Sequence, residues 1–449
     1  MLRFEFDKCR QTVCDGITRR RALSVGGSAM MAGLGLPQLL RLQAEAATTS
    51  APKAHACILL FLEGGPSTID LWDLKPQAPA EIRGPYDPIP TALPGLSIGE
   101  KLPRCANVMD KVTLLRSHSH KDNGHSTGYH YCLTGYKANF PDGNLRIPNN
   151  ELYPSIGSIV SRELAPQSAL PSYINMPNPM AAGGPGFYGV ENAPFVIETD
   201  PVQPDFEVRD LRPVVGVNRD RFSRRRAMLR DIEQLDSAVG SKARSQIMAE
   251  YYEKAYDLIT SPAAQRAFDL NAEKESLRAE YGYTSLGQCS LLARRLVEAG
   301  CRFIGVDHGS WDTHFDCFPT QNKDLFPHAD MAFSALVNDL DQRGLLDTTL
   351  VVMMGEMGRT PRINARAGRD HWSMCQSVLF AGGGVKRGQV IGASDQHAAY
   401  PTTEPFGVED LMFTIFTLMG INPKKIYDTP LGRPVPLVNG GRFVTGLAS

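Results

Sequence analysis

Four side chains able to hold a cation or move a proton follow one short apolar run. Phe303, Ile304 and Val306 suit a buried strand, and the chain then breaks into a polar loop carrying Asp307, His308, Asp312 and His314. Asp312 and His314 flank Thr313, so in extended backbone both side chains leave on the same side. A divalent ion needs that convergence of carboxylate and imidazole. The competing reading is a solvated loop whose polar residues only cap a turn. Open α/β sheets place their chemistry just past the C-terminal ends of strands, so other strands delivering similar groups would decide between the two.

Several do. Cys57 to Leu62 reads as a central buried strand, ending in Glu63-Gly64-Gly65-Pro66-Ser67 with Asp70 and Asp73 close behind. A carboxylate before two glycines lets backbone approach a ligand, or simply makes a tight turn. Lys111 to Leu115 forms a second strand that delivers Arg116, His118 and His120, followed by Lys121, Asn123, His125, Ser126 and His130. Four of the chain's 10 histidines lie between His118 and His130, a compositional metal signal. Thr349 to Met354 is a further buried strand, ending in Gly355-Glu356-Met357-Gly358-Arg359, and Asp370-His371-Trp372 comes shortly after.

The elements between these loops set the fold class. Leu291 to Ala299 is a compact helix ending at Gly300, a C′ glycine. Phe333, Leu336, Val337 and Leu340 share one face of a helix stopped near Gly344. A strand at Ser377 to Ala381 and a closing helix at Val408 to Met419 follow. Helix and strand alternate, which predicts an α/β fold with a doubly wound, mainly parallel sheet flanked by helices. Residues 141 to about 217 are rich in Pro, Gly and Asn, and residues 220–281 are helical with charges of both signs. Together they predict a loop-rich and helical excursion at about 141–285, within a single domain of residues 48–449.

Composition narrows the function classes. A 449-residue chain with 42% hydrophobic and 21% charged residues has ample core for one large domain. A formal charge of -1 gives no reason to expect nucleic acid as a partner. Outside the N-terminus no long uncharged apolar span exists, so no stable membrane span is expected in the mature chain. Residues 1–47 read as an address. Arg19, Arg20 and Arg21 precede a small, apolar run from Val25 to Leu40, and Ala44-Glu45-Ala46 offers a cleavage site. The pattern resembles a twin-arginine export signal, with Ala22 in place of the usual aromatic. It predicts passage through the twin-arginine export machinery to the periplasm or cell surface. Of the 9 cysteines, Cys9 and Cys14 would leave with the address, and the rest form no Cys-x-x-Cys pair. They are expected to be small buried hydrophobes.

Longer motifs carry a family resemblance. GGPSTIDLWDLKP, HSTGYHYCLTG, LLARRLVEAG, WDTH, GEMGRTPR and GRDHW resemble the exported family called domain of unknown function fifteen-oh-one. The order of strand-end acids, the loop ending Leu133-Thr134-Gly135, and the late Asp-His loop resemble the wider alkaline phosphatase and sulfatase superfamily. That resemblance implies two adjacent metal ions clamping a phosphate or sulfate ester. By position Asp312, His314 and His371 would form one site, and Glu63 and Glu356 the second, where the superfamily ordinarily has Asp. Asp307, His118, His120, Asn123, Arg359 and Asp370 are further candidates as ligands or anion contacts. The superfamily's nucleophile position falls on His125, with Ser126 one residue off, and the Cys-x-Pro-Ser-Arg signature is absent. Three routes stay open: attack by Ser126, attack by water activated at the metal, or His125 as ligand or phosphoryl acceptor. The expectation is an exported, metal-dependent hydrolase of a phosphate or sulfate ester, on a small molecule or a polysaccharide. The metal would be zinc, with manganese or calcium as alternatives. The alternative function is a non-catalytic exported binding protein on the same scaffold, with a degenerate metal site.

Overall fold

Seven consecutive residues, Ala56–Leu62, are all buried and form strand β1. A strand covered on both faces must be apolar throughout, which is why its pattern runs without alternation. In the computed structural model, residues 51–138, 152–208 and 255–448 are described, with 211, 221, 224–228 and 252–253 between them. The N-terminal address and much of the helical stretch after residue 220 lie outside the described residues. In chain order the elements used below are β1, β2 (Val112–His118), α1 (His125–Thr134), α2 (Ile156–Glu163), β3 (Tyr173–Met176) and β4 (Phe195–Val196). Then come α3 (Ser285–Glu298), β5 (Phe303–His308), α4 (Phe326–Gln342), β6 (Thr349–Met354), β7 (Gly358–Arg359), β8 (His371–Trp372), β9 (Gln376–Ala381), β10 (Gln389–Ile391) and α5 (Val408–Leu418).

Eight strands form the main sheet in the order β10-β2-β9-β6-β1-β5-β3-β4. β1 lies parallel between β5 and β6, with Leu59 opposite both Gly305 and Val352. Only β9 runs against its neighbours, β2 and β6. The sheet is therefore mainly parallel, with helices on both faces. Alternate residues of β1 feed two separate cores: Ile58, Leu60 and Leu62 pack with α3 and α4, while Cys57, Leu59 and Phe61 pack with α1, α2 and α5. Phe333, Leu336, Val337 and Leu340 of α4 are all 0% exposed. Burying each contributes about 1.5–3 kcal/mol relative to leaving it in water.

The structure corrects one expectation about the excursion. Tyr173–Met176 and Phe195–Val196 are strands of the main sheet, with Ile174 opposite Ile304. Runs of four and two residues among prolines are too short to show a period in sequence. Among the described residues no helix is long and apolar enough to cross a membrane.

The carboxyl ends of β1, β2, β5 and β6 lie along one edge. Because β9 is reversed, its start and the preceding residues 371–375 come to that same edge. The loops after β1 and β5 meet there through Gly64, whose φ is +113°. A Cβ at this position would sit 2.4 Å from the Asp312 backbone nitrogen and 2.8 Å from the Trp311 carbonyl carbon. Gly64→Ala should therefore cost on the order of 3 kcal/mol or more, since backbone must move as well as φ. Gly95, with φ +83° and nothing within 4 Å of a built Cβ, is the control; Gly95→Ala should cost only about 1 kcal/mol. Urea unfolding of both variants measures the difference, and equal losses would show that close approach at Gly64 does not matter.

Candidate metal centre

Four side chains from three separate loops converge at the sheet edge. His125 opens α1, Asp312 and His314 lie in the loop after β5, and His371 begins β8. One ligating atom from each lies within 4.8 Å of the others. His314 Nε2 is 3.0 Å and His371 Nε2 3.2 Å from Asp312 Oδ1, and His125 Nε2 is 3.2 Å from Asp312 Oδ2. The two facing nitrogens, His314 Nε2 and His371 Nε2, are 2.9 Å apart.

The other nitrogen of each ring is held from outside. His125 Nδ1 lies 2.7 Å from Glu356 Oε1, and His314 Nδ1 lies 2.7 Å from Asp370 Oδ1. His371 Nδ1 lies 2.8 Å from the Asn123 carbonyl, which can only accept. If Nδ1–H of His314 and of His371 donates outward, both neutral rings leave Nε2 as an acceptor facing the other ring and Asp312. Two lone pairs at this distance repel unless positive charge sits between them. A tetrahedron with bonds of about 2.0–2.1 Å has edges of about 3.3 Å, close to the spacings around Asp312. The residues fit a divalent cation, with a carboxylate or carbonyl fixing each ring as metal-binding histidines require.

Electrostatics within the cluster run the same way. Burial disfavours a charged His125, but hydrogen bonds to Asp312 and Glu356 outweigh it and raise its pKa to about 9. Burial likewise opposes the charged form of Asp312, yet His125, His371 and Arg359 hold it well below the usual carboxylate range. Asp370 is lowered mainly by its hydrogen bond to His314.

Other candidates take different positions. Glu356 is 0% exposed; its oxygens accept the Gly64 N–H at 2.9 and 3.1 Å and one also meets His125. It stands behind the His125 ring and outside the group of four. Glu63, expected beside it, is buried and is not in the group either; its own backbone ties to His308 and Trp311. Among the described residues one group of three or more such side chains could hold a cation, and it includes neither glutamate. Ser126 is also outside it, because neighbouring helix positions point about 100° apart and His125 occupies the inward direction. Asp307 is buried against the Tyr129 hydroxyl at 3.0 Å. Arg359, expected to touch an anion, instead donates to Asp312 Oδ1 at 2.6 Å and to the Gly64, Gly65 and Trp311 carbonyls. Asn123 bonds the Ser373 N–H through its side chain.

His118 and His120 lie beneath the cluster. His120 Nε2–H donates to the Glu356 carbonyl at 2.8 Å, while its Nδ1 accepts the Asp122 N–H at 3.2 Å. His118 is fully buried and bonds the Phe406 carbonyl at 2.8 Å. Sequence reasoning missed Asn364, whose side chain donates to Asp370 at 3.1 Å and to the His314 carbonyl at 3.0 Å. No local pattern marks it, because its partners come from another loop.

A family model described as "Protein of unknown function (DUF1501)" matches residues 54–448. No curated protein matches the chain. The chain is similar to the solved structure of PsFucS1 sulfatase from Pseudoalteromonas sp., at 12% identity over 85% of this chain and 70% of that one, TM-score 0.37. It is similar to phosphonate monoester hydrolase SpPMH from Silicibacter pomeroyi, at 13% identity over 88% and 77%, TM-score 0.39. It is also similar to alkaline phosphatase from the Antarctic bacterium TAB5, at 12% identity over 78% and 97%, TM-score 0.33.

Two outcomes are expected from this geometry. Removing the outer carboxylate with Glu356→Gln should weaken zinc binding by roughly 10–100-fold, measured by competition with a chelator. Unchanged affinity would mean that His125 does not bind the ion. The second concerns acid. Burial and, next, the neighbouring His120 push the His118 pKa down to about 3, against the Phe406 carbonyl, which favours the charged ring. Its folded pKa lies below its ordinary value of about 6.5, so its contribution is complete above that pH and lost as pH falls. By pH 5 the loss should reach about 2 kcal/mol. His118→Asn keeps a donor for the carbonyl without a titrating ring, so it should lose less stability than wild type between pH 7 and 5 in urea unfolding.

Proposed function

Because the chain belongs to the DUF1501 family, we propose a function read from its own site: cation-dependent hydrolysis of a phosphate or sulfate ester in the periplasm or at the cell surface. The substrate would be a small molecule or a polysaccharide ester. The observation carrying this reading is the convergence of one ligating atom each from His125, Asp312, His314 and His371, with His314 Nε2 and His371 Nε2 2.9 Å apart. Three imidazoles and one carboxylate suit zinc or manganese; calcium, which takes oxygen ligands, fits this nitrogen-rich set poorly. A divalent cation held by His125, Asp312, His314 and His371 supplies Lewis acidity toward an ester oxygen.

The chain's own residues do the rest. Glu356, Asp370 and the Asn123 carbonyl aim the three rings, and Arg359 holds Asp312 in place. α1 begins at the cluster with no acidic residue in its first turn. Its positive dipole end favours an anionic group there. His125 is engaged at both nitrogens, so we assign it to the cation and not to attack. Ser126, one helical position and about 100° round from His125, is not given the attacking role, and water is the attacking group in this reading. It reaches the cluster past Asp312, whose side chain is 43% exposed. Export is supported by the arginine run at Arg19–Arg21. The seven cysteines among the described residues are buried and unpaired.

Purified mature protein loaded with zinc or manganese should turn over at least one of an aryl phosphate, a diaryl phosphodiester and an aryl sulfate. Asp312→Ala and His371→Ala should reduce that rate to background. Stoichiometric metal without turnover on all three would leave a binding protein and end the hydrolase reading.

A further inference from the structure

The hydrolase reading leaves open how the organic half of the ester is held, and two side chains beside the cluster bear on it. Phe315 directly follows His314 and is 60% exposed, with its ring 6.4 Å from that of His314. Arg366 places its guanidinium carbon 3.8 Å from the Phe315 ring centroid. Both are carried on pinned backbone. The Asp316 N–H donates to the Arg366 carbonyl at 2.9 Å, and the Cys317 N–H to the Ala367 carbonyl at 3.0 Å. Asn364 Oδ1 accepts the Arg366 N–H at 2.9 Å and the Gly368 N–H at 3.0 Å. Gly368 packs so closely that a Cβ would come within 2.1 Å of the His314 carbonyl.

Backbone conformation marks the same place. Asp316 (φ 37°) and Ala367 (φ 56°), one beside each of the two side chains, are left-handed without being glycine. L-residues disfavour that region, so both are retained against a local cost. A single exposed apolar side chain is ordinary on a protein surface. A ring fixed from two loops, with a guanidinium against one face and a cation-holding cluster alongside, is organised for recognition. An aromatic face takes the flat face of another ring, and the guanidinium keeps in-plane N–H donors for anionic oxygens.

We infer that Phe315 and Arg366 form a subsite for a ring-bearing organic group on an anionic ester, either an aryl or a pyranose ring. This rests on the ester-hydrolase reading and adds a substrate class to it. The face of Phe315 supplies the contact with the ring, and Arg366 orients the ring and binds a further oxygen of the ligand.

Calorimetric titration of the zinc-loaded full chain with three non-hydrolysable ligands tests the subsite. These are methylphosphonate, phenylphosphonate and a C-glucosyl methylphosphonate. Wild type should bind at least one ring-bearing ligand roughly tenfold tighter than methylphosphonate. The ligand that shows the gain identifies the ring as aryl or sugar. Phe315→Ala should erase the preference to within about twofold, and Phe315→Leu, apolar but without a flat face, should lose most of it. Arg366→Ala should weaken the ring-bearing ligands. Zinc affinity measured on each variant shows that the cluster is intact. If the ring preference survives Phe315→Ala, the subsite is wrong and the hydrolase reading stands. If no phosphonate binds wild type, the ester reading falls and takes the subsite with it.

Discussion

A carboxylate that water does not reach joins three elements at the centre of this site. Glu356 follows β6, accepts the Gly64 N–H at the end of β1, and meets His125 at the start of α1. Burying an ionised carboxylate costs several kcal/mol unless donors replace its water. The fold recovers that cost only when the end of β1, the end of β6 and the head of α1 stand in one arrangement. The arrangement that satisfies Glu356 is also the one that aims His125 inward. Gly64 is needed because its backbone must come within bonding distance of Glu356 while the Trp311–Asp312 segment presses on its other side.

Two buried arginines extend that constraint to the remaining loops. Arg359, in β7, spans the Gly64 and Gly65 carbonyls and Asp312, and β7 pairs it with His371 in β8. One guanidinium thus ties the residue binding all three imidazoles to the strand that carries one of them. Arg369 pairs with Asp70, both side chains 0% exposed, and donates to the Thr360 and Ile82 carbonyls. The loop from Thr360 to Asp370 is thereby anchored to the short helix Thr68–Leu71. Removing one partner of such a buried pair leaves an uncompensated charge, at a cost of about 3–5 kcal/mol. Precision here comes from satisfying buried charge, because loops alone would not hold four ligating atoms so close.

The strands of the sheet centre were legible because β1, β5 and β6 are covered on both faces and must be apolar throughout. Asp312 and His314 drew attention by their spacing, and His371 was added to them only by the superfamily resemblance. The role of Glu356 was not. A carboxylate at the end of a strand reads the same whether it would touch a cation or aim a ring that does. The difference lies in the Gly64 N–H, 292 positions away, and in the absence of solvent around it. His125 was one of several options in sequence for a related reason: a helix start does not announce which of two neighbouring residues faces inward. β3 escaped notice because four residues are enough to pair beside β5 but not to show a period.

The state of the site without a cation follows from the same contacts. With His125 raised to about 9 by Asp312 and Glu356, its imidazolium supplies at neutral pH the positive charge that two carboxylates demand. The proton and a cation then compete for one ring nitrogen, and binding of a cation must release that proton. This competition explains how the fold tolerates Glu356 and Asp312 around one imidazole before any ion arrives. A fully buried Glu356 facing a neutral His125, with no ion present, would lose a charged partner and keep its burial penalty. The acid that aims the ring therefore also holds the cluster in the geometry that an ion requires. Pre-organisation of this kind lowers the rearrangement that binding would otherwise demand.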